Sequence, residues 1–125
     1  YHLDLQAGAG RFEEGTPNTG GIFALGAAID LVLEIGIDAI AETVLGLRTD
    51  LCRALEARGA EILSPRAAAD RSGILSFRWK DEPPKQTASR LRAAGVVVAA
   101  RRGGVRASPH HYNDAADLQR LVDAL

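Results

Sequence analysis

The sequence predicts an α+β fold: two long helices, then a small sheet of about four strands covered by helices. Three observations predict it. Apolar residues recur at helical spacing from Ile22 to Leu55, with one break at Gly36. Past Gly59 the pattern shortens to strand-like runs, Gly73–Trp79 and Val96–Ala100. Helical spacing then returns through Leu118, Leu121, Val122 and Leu125 at the end of the chain.

The elements follow in order. The first stretch is Gly-rich and keeps no period, so residues 1–17 read as an extended lead-in and 18–125 as the domain proper. Asn18 or Thr19 caps the first helix, because a short polar side chain accepts from the unpaired N–H groups of a first turn. Ile22, Leu25, Ile29, Val32 and Leu33 keep its spacing, and Gly36 ends it. Asp38 caps the second helix, whose apolar face is Ile40, Val44, Leu47, Leu51 and Leu55, and Gly59 stops it. Arg48, Asp50, Arg53 and Glu56 fall on its other face, read as solvated. Ala60–Leu63 is a short strand, and Ser64–Ser72 is a loop. Gly73–Trp79 is a better strand, with Ile74 and Ser76 on one side and Leu75 and Phe77 on the other. Pro83 and Pro84 break the chain before a helix over Lys85–Ala94, closed by Gly95. Val96–Ala100 reads as a strand buried on both faces. Val105–Ser108 returns beside it after a Gly103-Gly104 turn. Asn113 caps the last helix.

Composition bounds the function. A chain of 125 residues is one domain's worth, with 46% hydrophobic and 25% charged residues, and can bury one core. The net charge of -1 provides no global field for nucleic acid or an anionic membrane. The most apolar stretch, Ile22–Ile37, is cut by Asp30 and Glu34, which argues against a membrane span. No signal peptide is visible at the start, residue 1 is Tyr and no Met occurs, the pattern of a trimmed product or a piece of a longer chain. The single cysteine, Cys52, forms no internal disulfide and suits a reducing, cytoplasmic setting; its helical neighbours Leu51 and Leu55 favour a buried structural thiol over a nucleophile.

Two places carry candidate chemistry. At Glu14-Gly15-Thr16-Pro17-Asn18 a glycine lets backbone approach a ligand, and the helix that follows directs free N–H groups at it. The same residues serve equally as an ordinary helix start. In Arg101-Arg102-Gly103-Gly104-Val105-Arg106 three guanidinium groups gather at a turn. Arginine grips a carboxylate or phosphate with two parallel hydrogen bonds, whereas residue types alone favour a solvated basic hairpin tip. Arg106 lies between Val105 and Ala107, so it is partly buried if its strand is central, and it then needs an anion. His110 and His111 are adjacent and cannot converge on one metal from a strand. Ser108, His110 and Asp114 lack the surroundings of a triad, and Glu13-Glu14 and Asp81-Glu82 read as solvated charge. No dinucleotide or phosphate-loop motif is present, and the aromatics are too scattered to stack bases.

Taken together, Arg11-Phe12-Glu13-Glu14-Gly15-Thr16-Pro17-Asn18 and Arg106-Ala107-Ser108-Pro109-His110-His111-Tyr112-Asn113 resemble the C-terminal part of class V aminotransferases. These are fold-type I pyridoxal phosphate enzymes, among them cysteine desulfurases, selenocysteine lyases and isopenicillin N epimerase-like proteins. The resemblance runs from about Leu3 to Leu125. It implies the small domain of such an enzyme, with a mainly antiparallel sheet, acting on an amino acid in a homodimer or against a large cofactor-binding domain. It implies that Gly15 and Thr16 contact the cofactor phosphate of the neighbouring subunit. It implies that Arg106, with Arg102 beside it, holds the substrate carboxylate. Asn18, His110 and Asn113 belong to the motifs without an assigned role.

Two departures qualify the resemblance. The lysine that carries pyridoxal phosphate lies, in the family, upstream of the Gly-Thr pair; here Lys80 and Lys85 are the only lysines, and neither matches. In cysteine desulfurases a nucleophilic cysteine occupies a longer loop between the two arginines, whereas only Gly103, Gly104 and Val105 separate Arg102 from Arg106 here. The expectation is a domain that is not catalytic alone and binds no cofactor by itself. The alternative is a stand-alone module, derived from such a domain, that binds a small carboxylate or assembles with another protein.

Overall fold

A computed structural model of the chain describes residues 4, 5, 7–13 and 15–125. They form two compact units, one reaching to Glu34 and one from Ile35 to Leu125. In the first, a short 3-10 turn over Ala9–Phe12 precedes helix α1, Thr19–Ile35. Asn18 caps α1: its Oδ1 accepts from the Gly21 N–H at 3.0 Å. The apolar spacing read from the sequence gives the helix, yet α1 buries none of its residues, and Phe23 is 78% exposed. No single helix among the described residues is long and apolar enough to cross a membrane.

Gly36, at φ 93°, ends α1 and stands as the N-cap of α2, Ile37–Ala57. The expected cap, Asp38, lies instead inside the first turn, where its charge suits the positive end of the helix. Arg58 and Gly59, the latter at φ 86°, close α2, and the chain enters β1, Glu61–Ile62. A loop containing the turn Ala68–Asp70 leads to β2, Leu75–Arg78. Pro84 opens α3, Pro84–Ala93, at a position where its missing N–H costs nothing. β3 is Ala99–Arg101, β4 is Gly104–Ala107, and α4 is Ala115–Asp123.

The four strands form one antiparallel sheet in the order β1-β2-β4-β3. β4 is therefore central, with Ser76 opposite Arg106 on one side and Ala99 opposite Arg106 on the other. The sheet alternates as a half-buried sheet should. Leu75, Phe77, Val105 and Ala107 point to one face and meet Leu51, Leu55, Leu91, Leu121 and Val122 from α2, α3 and α4. Each fully buried residue of this size contributes roughly 1.5–3 kcal/mol. Ser76, Arg78, Gly104, Arg106, Ala99 and Arg101 share the opposite face.

Three expectations are corrected. Val96–Ala100 is not a strand buried on both faces: only Ala99 onward pairs, β3 is an edge strand, and Val97 is 81% exposed. The hairpin turn is Arg102-Gly103, with φ of 42° and 81°, and not Gly103-Gly104. Two positive φ values in a two-residue loop give the primed turn that matches strand twist. Arg48 is not on a solvated face. It is only 6% exposed, because the loop after β1 folds over it and its Nη2 donates to the Pro65 carbonyl at 3.0 Å.

Candidate functional site

The open face of the sheet carries the best-defined constellation of charge. β4 lifts Arg106 from the middle of the sheet, where flanking strands leave it half-buried. The two-residue turn places Arg102 at the hairpin tip and returns Arg101 opposite Gly104. Arg101, Arg102 and Arg106, with Leu63 and Ser76, line a recess of about 410 Å³. Arg78, on the same face, is neutralised by Glu61 across the β1–β2 pair, and its Nε donates to the Gly103 carbonyl at 3.4 Å. Among the described residues no carboxylate pairs with Arg101, Arg102 or Arg106. A half-buried guanidinium without a carboxylate partner among the described residues has the chemistry to bind an anion.

The wall of the recess is held by backbone. Leu63 N–H donates to the Ser76 carbonyl at 2.8 Å, and the Ser64 hydroxyl accepts from the Ser76 N–H at 2.8 Å. Gly104 lets Leu63 lie close: a Cβ there would stand 2.6 Å from Leu63 Cδ1 and 2.9 Å from the Phe77 carbonyl oxygen. Leu63 and Ser76 were not among the residues read for the site, and Arg101 was read as part of the basic turn without a substrate-binding role. The alternation Ser76/Arg78 against Leu75/Phe77 carried the signal for the open face; the Leu63 contact to Ser76, thirteen positions along the chain, left no sequence trace.

The remaining motif residues lie elsewhere. Gly15 has φ 105°, which favours glycine, and Thr16 is exposed just before the Asn18 cap; Glu14 lies outside the described residues. His110 and Asn113 have a structural part. Asn113 Oδ1 accepts from the His110 N–H at 2.9 Å, and its amide donates to Asp117 Oδ2 at 3.0 Å. The cap of α4 is then Asp114, not Asn113, in a reciprocal box with Asp117. The His110 ring stacks on Tyr112 at 4.3 Å. No group of three or more potential metal ligands converges among the described residues. Cys52 is buried in the core.

Neither lysine belongs to the arginine recess. Lys80, at φ 46°, lays its ammonium over the Trp79 ring at 4.5 Å, and Lys85 stands in the first turn of α3. A second recess of about 380 Å³, between Leu51, Val96, Val98, Pro109 and Leu118, shares no lining residue with the first.

A family model for aminotransferase class V matches residues 2–121. A cysteine desulfurase of Enterobacter sp. (strain 638) is 37% identical over 131 aligned positions, covering 92% of this chain and 31% of that protein. An uncharacterized aminotransferase of Bacillus subtilis, YcbU, is 27% identical, covering 94% of this chain and 31% of its own length. Among solved structures, the apo cysteine desulfurase of Thermococcus onnurineus NA1 superposes with a TM-score of 0.83 at 26% identity, over 97% of this chain and 35% of that one. The chain thus spans about a third of the length of the relatives it matches.

Proposed function

The chain belongs to the aminotransferase class V family, and from that premise we propose that it is the C-terminal small domain of an enzyme acting on an amino acid, with Arg106 holding the substrate carboxylate. The observation that supports this most is the half-buried Arg106 on the central strand, set in a recess without an acidic partner among the described residues. Arg102 at the turn tip supplies a second fork to the same ligand. Gly15-Thr16 contacts the cofactor phosphate of a neighbouring subunit, and α1 supplies the apolar surface on which a second copy or a large domain rests.

The family depends on pyridoxal phosphate, which supplies the electron sink for amino-acid chemistry when bound. The residues of this chain do not make a complete site for it. Lys80 is held on Trp79, Lys85 sits on α3, and neither lines the recess of Arg106. On this reading the chain binds and orients substrate but does not catalyse alone. Cys52, in the core, takes no part, which sets the chain apart from cysteine desulfurase chemistry.

The experiment is an amino-acid titration of the 125-residue chain, followed through arginine side-chain N–H resonances. L-alanine is expected to shift the Arg106 resonance saturably, and Arg106→Ala to abolish binding while the melting temperature stays nearly constant. Equal binding by Arg106→Ala and the parent chain sinks the assignment.

A further inference from the structure

We propose that the ligand of the arginine recess is an amino acid carrying a second acidic group on its side chain. The inference rests on the reading of Arg106 as the carboxylate grip and goes on to name the substrate class.

Charge balance carries it. Arg78, on the same face of the sheet, has its own carboxylate in Glu61. Arg53, Arg66, Arg90 and Arg120 are likewise matched by acids elsewhere in the molecule. Arg11, Arg48, Arg58, Arg71 and Arg92 also lack an acid among the described residues but stand outside this recess, which is set apart by having three guanidinium groups, Arg106 half-buried among them, on one lining. One carboxylate engages one guanidinium fork. An amino acid with a neutral side chain also brings an ammonium group, so it adds no net negative charge to a recess lined by three cations. A second acidic group changes that sum and gives Arg101 and Arg102 an anion of their own.

Geometry supports the same ligand. Arg106 and Arg101 rise from the same face of neighbouring strands at a diagonal of the pairing, with the side-chain-free Gly104 between Arg101 and β2. Arg102 reaches the recess from the turn, so the cations surround it from more than one direction. Leu63 supplies an apolar wall for a short methylene chain, and Ser76 a hydroxyl. The positive φ of Arg102, 42°, belongs to the primed two-residue turn and fixes its side chain at the hairpin tip beside the recess.

The test compares L-alanine, L-aspartate and L-glutamate on the 125-residue chain at low ionic strength, read by the same arginine resonances. Aspartate or glutamate is expected to bind about tenfold more tightly than alanine, the worth of one added charge-assisted pair. In Arg101→Gln/Arg102→Gln that preference falls to within about twofold, with methyl spectra confirming an intact core. Equal affinity for alanine and both acidic amino acids, all dependent on Arg106, overturns this proposal and leaves the carboxylate grip standing. An acidic preference that survives in the double variant overturns it too. No shift at Arg106 with any of the three overturns both.

Discussion

Gly104 marks how tightly single residues are set around the recess. A methyl group there has to displace Leu63 and meet the Phe77 carbonyl, which is backbone and yields little. Gly104→Ala is expected to destabilise the chain by about 1–3 kcal/mol in urea unfolding and to weaken amino-acid binding with it. Arg102 behaves in the opposite sense. Arg102→Gly removes a side chain from a left-handed position, so stability rises by up to about 1 kcal/mol while ligand affinity drops. A variant that loses both stability and affinity contradicts the view that this turn trades one for the other. Arg106 could be singled out in the sequence because an arginine flanked by Val105 and Ala107 breaks an apolar run. Arg48 could not, because helical spacing puts it among polar neighbours, and what buries it is a loop seventeen residues away.

The helices are held by end groups that respond to pH. Asp114 and Asp117 cap α4 reciprocally, and Asp114→Ala is expected to cost about 1 kcal/mol. The Asn113 amide, the Asp114 N–H and Arg120 hold the Asp117 carboxyl below its ordinary range. Glu82 is lowered likewise, first by Arg90 and then by the Thr87 hydroxyl, a set that ties the start of α3 to its own last turn. Arg90 also donates to the Ala124 and Leu125 carbonyls, which anchors the end of the chain. Both carboxyls titrate lower in the folded state than in the unfolded one. Their contribution is complete above the ordinary carboxylate range and is lost as pH falls through the lowered values. Glu82→Gln with Asp117→Asn is therefore expected to flatten the acid limb of a stability–pH curve; an unchanged limb excludes these two groups as its origin. At this scale the helices and β2 were legible, because their spacing and their stops at Gly36, Gly59 and Gly95 are local. β3 was misread, since three consecutive valines look like a doubly buried strand, whereas pairing begins only after them, at Ala99, and the short strand that results stands at an edge. The α4 cap slipped by one residue because Asn113 and Asp114 are both good caps; the Asp114–Asp117 box makes Asp114 the cap, while the Asn113 side chain turns to His110 and Asp117.

For the whole molecule the main asymmetry is between a packed unit and a bare helix. The core gathers residues from α2, α3, α4 and the sheet, whereas α1 carries Ile22, Phe23, Leu25, Ile29, Leu31 and Leu33 all at least half exposed or nearly so. Apolar surface of that extent drives association. Sedimentation of the 125-residue chain is expected to show self-association at high concentration, reduced by Phe23→Asp with Leu31→Asp; a monomer for the parent chain at every concentration rules the idea out. The α+β class was legible from periodicity, and the family from the two motifs around Gly15-Thr16 and Arg106. The antiparallel order β1-β2-β4-β3 was not, since the pairing of β2 with β4 leaps over a whole helix and no local pattern encodes it. That leap also orders events in time. The β3–β4 hairpin closes over two residues and forms on the scale of microseconds, gathering Arg101, Arg102 and Arg106 while the rest of the chain is still open. Ser76 and Leu63 arrive only when the long-range pairing closes, a slower step. Three cations drawn together that early would repel one another, and a small dianion present during refolding would relieve them before there is any recess for it to occupy.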